Sequence, residues 1–566
     1  MKLLLALPIL AALHGTAEAA DTLYTGGPIV TLDDRQPQAE AVVVRGGDIA
    51  FVGTHKAALA FSPGACQVDL QGHTLMPGFI DSHGHVSGVG LQALSANLLP
   101  APDGEGNSIP ALQDIMRRFR AAATVPGGYK VLIGFGYDES QLAEKRAPTR
   151  TELDAIATDV PVVLIHQSGH LGAYNSKALE QAGIGADTPD PEGGVIRREP
   201  GSRVPDGVLE ESAHNLALAR LMPALTPAQA MAMLEAGQAL YMKYGYTTAQ
   251  DGKTDAGTLA MLPMAGKAGK LKIDVVAYPD IQVALDSPAM RGPYYGPDYI
   301  DHFRIGGVKI SLDGSPQGKT AWLTQPYYKA PVGEKTDYAG YPAYSDAQAD
   351  ALIGKAWDNG WQVLAHANGD AAIDQFIHAV AVAEAAHPGK RLMPVLIHGQ
   401  TLRRDQVGEL RRLGIFPSLF PMHTYYWGDW HRDSVLGPER AENISPTRWV
   451  LDAGMVFTSH HDAPVVFPDA MRVLDATVNR TTRSGRVLGP AQRVSPEQAL
   501  KSITLWAARQ YSEEARKGSI ETGKRADLVV LSDNPLTIAP AELHTIKVLQ
   551  TIKDGNVVYR ADASTK

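Results

Sequence analysis

Hydrophobic and polar positions divide the chain into three textures. An apolar run, Leu3 to Leu13, stands behind Lys2 at the start. Short β-branched runs follow, Ala41 to Val44 and Ile49 to Val52, around Gly46-Gly47, a pattern that predicts a hairpin. The same texture returns near the far end, in Ala526 to Leu531 and in Val548 to Tyr559 with its Asp554-Gly555 turn. Between these ends, strand-length apolar runs alternate with helix-like segments, which predicts a parallel α/β sheet. The strand candidates are Leu75 to Asp81, Tyr246 to Asp251, Ile273 to Tyr278, Ile305 to Leu312, Gln362 to Ala365, Pro394 to His398, Ile415 to Phe420 and Met455 to Ser459. Eight such units predict an α/β fold of the (β/α)8 TIM-barrel type. The stretch between the first two is too long for one crossover, so residues from about 91 to 225 are expected to form a large insertion after strand 1. The two β-rich ends are expected to make one β-sandwich. The expected division is 1–20, a signal peptide; 21–76, sandwich; 77–505, barrel with its insertion; and 506–566, the rest of the sandwich.

The composition fits a folded, soluble chain: 566 residues, 44% hydrophobic and 20% charged. There are 52 basic and 61 acidic residues, for a formal net charge of -9, and no dense Lys/Arg run. Nucleic acid is therefore excluded as an expected partner. Lys2, the short apolar run and Ala17-Glu18-Ala19 read as a secretory signal with its cleavage site. The run is too short for a permanent membrane anchor, so a periplasmic or secreted protein is expected. A single cysteine, Cys66, rules out an internal disulfide and any cysteine-based metal site.

Function in such a barrel gathers at the C-terminal ends of the strands. There the chain places Asp81-Ser82-His83-Gly84-His85, Lys309, His366, His398 and His460-His461-Asp462. His83 and His85, two apart on an extended segment, can reach one ion together. Lys309 interrupts an apolar strand, where a bare ammonium is costly. Either it pairs with Asp313 or a substrate carboxylate, or carbon dioxide carboxylates it into an anionic metal ligand. Gly314 to Thr320 imitates a phosphate-binding loop, but it has three residues between its glycines where four are needed. No G-x-S-x-G or H-E-x-x-H motif is present.

These motifs resemble those of the amidohydrolase superfamily, and within it the YtcJ-like (amidohydrolase 3) metal-dependent hydrolases. The resemblance runs through Pro77 to His85, Gly307 to Ile310 with Asp313-Gly314-Ser315, His366 to Asp370 and Ile397 to Gln400. In the insertion it includes Phe135 to Asp138, Pro148 to Asp154 and Gly169-His170 to Leu179, and near the end Lys517 to Ile520 and Gly523 to Leu528. It implies two divalent metal ions, usually zinc. His83, His85 and Asp462 would hold one and His366 and His398 the other, with carboxylated Lys309 and a hydroxide bridging them. It further implies hydrolysis of a C–N bond in an amide, formamide or carbamate, with Asp462 carrying the proton to the leaving amine. His170 and His423 are the other expected catalytic residues, and Tyr137, Asp138, Tyr425, Trp427 and His461 the expected substrate residues. The aromatic stretch Tyr425-Tyr426-Trp427 with Trp430 fits either an aromatic substrate group at the mouth or a lid packed on the insertion. Two departures stand out. His460 and His461 precede Asp462 where relatives usually have Gly-Ser, and Phe420-Pro421-Met422-His423 lacks the usual glutamine. Ester or lactone cleavage at the same site, and a non-catalytic binding or regulatory role, remain open. The expected partner is a small molecule, and a homodimer is one assembly open to the chain.

Overall fold

The computed structural model describes residues 21–122, 130–222, 226–331 and 333–562; the signal-peptide reading of residues 1–20 lies outside them. Both chain ends build sheet, as the texture predicts. One sheet orders Asp48–Gly53, Ala41–Arg45, Thr22–Thr25 and Cys66–Asp69. Its hairpin turns at Gly46 and Gly47, whose φ angles of +57° and +90° suit glycine. The other orders Asn556–Arg560, Val548–Lys553, Leu528–Leu531, Thr74–Pro77, Ile29–Val30 and Gln38–Ala39. Tyr24, Val42 and Ile49 from the first share an apolar cluster with Leu75, Val530 and Ile552 from the second.

The middle of the chain forms two parallel arcs. The first contains Phe79–Ile80, Tyr246–Thr254, Asp274–Pro279 and Phe303–Ile305. The second contains Gly307–Ser311, Gln362–Ala367, Val395–His398, Phe416–Leu419 and Thr458–Ser459. Two expected strands are divided, each at a glycine. Leu75 to Asp81 breaks at Gly78, where a Cβ would lie 2.4 Å from the Thr247 methyl. Ile305 to Leu312 breaks at Gly306, where it would lie 2.6 Å from the Tyr278 phenol. Only a residue without a side chain tolerates such approaches. Inward-facing Ile80, Val276 and Tyr278 of the first arc join Leu364, Val395 and Ile397 of the second in one buried cluster. The arcs also meet through the His85 amide, which donates to the Ala463 carbonyl at 2.8 Å, and the Asp462 amide, which donates to the His83 carbonyl at 3.1 Å.

Helices cover the outer face. Ser345 and Gln348 form a capping box for Asp346–Asn359, and Gly360 ends that helix at φ +73°. Its Ile353 and Trp357 are fully buried, as are Phe376 and Val380 of the helix Asp370–Ala386. Each such side chain contributes about 1.5–3 kcal/mol by leaving water. Among the described residues no helix is long and apolar enough to cross a membrane.

A third unit lies between the first two strands of the first arc. Its six-stranded sheet orders Gly194–Arg198, Pro205–Glu211, Leu171–Tyr174, Val162–His166, Leu132–Tyr137 and Ala96–Asn97. Side chains alternate between its faces: Val162 and Leu164 pack with Leu132, whereas Val163 and Ile165 pack with Phe135. A bulge at Gly136, φ +109°, shifts the register so that Tyr137 joins the Leu132 side.

Candidate metal centre

The first strand of the middle unit ends in a tightly specified turn. Fully buried Asp81 accepts the His83 amide at 3.0 Å, the Gln250 amide at 3.0 Å and the Tyr241 hydroxyl at 2.9 Å. Burial pushes its carboxyl up to about 7. Gly84 fits because a Cβ there would lie 2.4 Å from the Tyr241 hydroxyl. Two oxygen acceptors then orient the imidazoles. His83 Nδ1 lies 2.7 Å from Gln250 Oε1, and His85 Nδ1 lies 2.5 Å from the Gly252 carbonyl. A carbonyl oxygen can only accept, so both Nδ1 atoms carry the proton and each Nε2 is turned toward the centre.

Those Nε2 atoms face a common point. His83 Nε2 is 2.9 Å from Lys309 Nζ and 3.3 Å from Asp462 Oδ1, and His85 Nε2 is 3.1 Å from that same oxygen. His398 Nε2 lies 3.9 Å from Asp462 Oδ2. The His366 and His398 ring centroids are 4.5 Å apart, and those of His83 and His398 are 5.3 Å apart. The structure thus brings His83, His85, Lys309, His366, His398 and Asp462 together. By strand alternation His398 would point outward from Ile397; its left-handed backbone, φ +75°, breaks that alternation. Asp462 is left-handed too, at φ +53°.

Burial holds His83, His366 and His398 well below the usual imidazole range, and neighbouring cations reinforce this, so all three are neutral. Burial likewise lowers Lys309 to about 7, against the pull of Asp462. Neutral, convergent imidazoles with a buried lysine and a carboxylate are a donor set suited to divalent metal.

Other expected residues are placed differently. His170 Nδ1 lies 2.8 Å from Glu211 Oε2, and its ring centroid is 5.5 Å from that of His366. Burial opposes a charge on His170, but Glu211 outweighs it and raises the imidazole. His423 is one aromatic layer away. It packs against Phe420 at 4.6 Å, with its Nδ1 2.9 Å from His431 Nε2, and Phe420 stacks on His460. The His460-His461 pair splits. His460 lies 5.0 Å from the His398 ring, whereas His461 turns away to pack on Tyr246 at 5.1 Å, its Nε2 3.4 Å from Asp81.

The expected substrate residues need correction. Tyr137 is fully buried in the core of the insertion sheet. Asp138 accepts the Trp427 indole N–H at 2.5 Å and the Ser140 amide at 2.8 Å, so Asp138 and Trp427 are occupied with each other. Tyr426 donates to Asp103 at 2.7 Å, and Arg472 covers the Tyr425 ring at 4.3 Å. The aromatic stretch is therefore a lid packed on the insertion, the other of its two readings. His461 is fully buried. Asp138, Glu139 and His166 form a second cluster, with His166 Nε2 3.1 Å from Glu139. Burial opposes the charge, but Glu139 and Asp138 raise His166 to about 10. The triad packs as a buried ion-pair cluster, and the Ser168 amide donates to His166 Nδ1 at 3.0 Å.

Several supporting residues were missed from the sequence. Gln250 and Glu211 lie outside the histidine motifs; Asp313, read as a partner for Lys309, instead lies 3.2 Å from His366 Nδ1. Burial pushes Asp313 up to about 7 even though it accepts the Asn368, Gly369 and Trp322 amides. The available signal was a polar residue inside a buried strand or at its end.

Comparison with known proteins agrees with this geometry. The chain is 30% identical to an N-substituted formamide deformylase of Arthrobacter pascens, over 96% of this chain and 99% of that protein. It is 28% identical to the YtcJ protein of Bacillus subtilis (strain 168), over 95% and 99%. An uncharacterized metal-dependent hydrolase from Pyrococcus horikoshii superposes with a TM-score of 0.72 at 25% identity, covering 92% of this chain and 99% of that one. The amidohydrolase family model matches residues 67–559, a span that takes in every side chain of the cluster from His83 to Asp462. The chain belongs to the amidohydrolase family.

Proposed function

We propose that the protein hydrolyses a non-peptide C–N bond, in an amide, N-substituted formamide or carbamate, at a two-metal centre. The observation that carries this is the convergence of the His83 and His85 Nε2 atoms, each oriented through its Nδ1, on Asp462 and Lys309. His83, His85 and Asp462 would hold one ion, His366 and His398 the other, with zinc the expected metal. Lys309 is suited to bridge them. With its amine lowered to about 7, a substantial fraction is neutral near neutral pH, the form that adds carbon dioxide to give a carbamate and a released proton. When bound, such ions supply Lewis-acid polarisation of the scissile carbonyl and make a water acidic near neutral pH. Asp462 takes that water's proton and passes it to the leaving amine. His170, its Nδ1 tied to Glu211, presents its other nitrogen as a hydrogen-bond donor to the carbonyl oxygen. The similarity to a formamide deformylase supports a small acyl group.

The two arcs, with their shared inner cluster, are read as one (β/α)8 barrel, the third sheet as its insertion and the two terminal sheets as a β-sandwich. The N-terminal apolar run supports export to the periplasm or beyond. Elemental mass spectrometry tests the centre. About two ions per chain are expected for the reconstituted protein and about one or fewer for Lys309→Met. One ion in the unsubstituted protein rejects the bridging lysine, and none rejects the catalytic reading.

A further inference from the structure

The strand Tyr246–Thr254 carries an irregularity that the proposed chemistry does not use. Gly252 pairs with Tyr278 and Thr254 with Pro279, so Lys253 between them has no partner across the sheet. It is the extra residue of a bulge, with a left-handed backbone at φ +56°. Bulges next to active sites re-aim side chains, and a left-handed lysine persists only where the surroundings impose it. The surroundings here are the metal centre. The Gly252 amide donates to the Gly84 carbonyl at 2.8 Å, and its carbonyl faces His85 Nδ1 at 2.5 Å. A Cβ on Gly252 would lie 2.8 Å from the His83 ring, so the backbone just before Lys253 is pressed against the two histidines.

The side chain is exposed, and it makes no hydrogen bond or ion pair with any described residue. Its backbone adjoins the centre at His85, whose side chain is 29% exposed. Its ammonium acts electrostatically on Lys309, His366 and His170. A free cation beside the cluster attracts an anion and disfavours a cationic ligand.

We propose that Lys253 is a specificity residue that binds a carboxylate on the substrate, so that the preferred substrate is an N-acylated amino acid. This rests on the hydrolytic reading above for its scissile bond, but the recognition step is separable from turnover. The test uses the zinc-reconstituted full chain and two ligands of matched skeleton, N-formylphenylalanine and N-formylphenethylamine, which lacks the carboxylate. Calorimetry gives the Kd of each, and turnover gives kcat and KM. The unsubstituted protein is expected to bind the acid about tenfold more tightly than the neutral amide, with a gap that narrows as salt is added. Lys253→Met is expected to bring the two within about twofold, through the acid's Kd and KM and not through kcat; Lys253→Arg is expected to keep most of the preference. Equal binding of the two ligands, no binding of the acid, or equal weakening of both in Lys253→Met overturns the assignment. Selective binding of the acid without hydrolysis of either ligand rejects the hydrolytic reading and leaves the carboxylate site standing.

Discussion

Asp462→Asn is expected to lower turnover by about a thousandfold or more while metal remains bound. Asparagine keeps the shape and one oxygen of the carboxylate but cannot take a proton. In the structure Asp462 reaches His85 and His83 through one oxygen and His398 through the other, so it is the carboxylate shared by both halves of the cluster. Its backbone is fixed by the Asp462 amide donating to the His83 carbonyl, so the substitution leaves the turn intact. Metal content and turnover are measured on the same preparation. Wild-type turnover with metal present would remove Asp462 from proton transfer; loss of metal together with activity would reduce it to a ligand.

The largest expected effect on stability lies at the opposite end of the strands. Lys517, with 4% of its side chain exposed, donates to Asp274 at 2.7 Å, lies 3.1 Å from Glu513 and covers the Tyr299 ring at 4.5 Å. Asp274 also meets Lys553 at 3.0 Å and His302 Nδ1 at 2.8 Å, and Lys553 continues to Asp527. Burial alone would raise Asp274, but Lys517 and Lys553 hold it well below the carboxylate range. Lys517→Met leaves two buried carboxylates short of a cation and is expected to cost about 3–5 kcal/mol. The loss would be read as a lower denaturant midpoint. Adding Asp274→Asn is expected to restore part of it, because the uncompensated charge is then gone. An unchanged midpoint in the single variant would show that the network contributes nothing net. The pH dependence has a definite sign. A depressed carboxylate contributes stability above its unfolded pKa, about 3.9, and loses it as pH falls through the folded value. Asp274 should therefore hold through mildly acidic pH and fail only in strong acid.

What the sequence made legible follows from how strands advertise their ends. His83, His85, Lys309, His366, His398 and Asp462 were readable because each is polar and sits where an apolar strand-length run stops or is interrupted. Residues that orient them were harder to see. Gln250 sits in an unremarkable Thr-Thr-Ala-Gln stretch, and Glu211 meets His170 only because two insertion strands pair. The dipeptide His460-His461 could not be resolved from sequence because opposite facing is a property of the local backbone. The aromatic stretch suggested substrate or lid equally; long-range partners, Asp103 and Asp138, decide for the lid. Strand boundaries failed at Gly78 and Gly306 for the same kind of reason, since each break is enforced by a side chain from another strand, Thr247 or Tyr278.

The break at Gly78 also bears on when the protein can become active. The segment that leads into His83 and His85 runs first through Thr74–Pro77, which is held between Ile29–Val30 and Leu528–Leu531. One of those neighbours precedes the turn in the chain, and the other follows every strand of the two arcs. The metal-bearing turn therefore has no finished support until Leu528–Leu531 has been made. A chain cut before Leu528 should carry the histidines without holding them in place, and capture of metal should wait until that strand has docked.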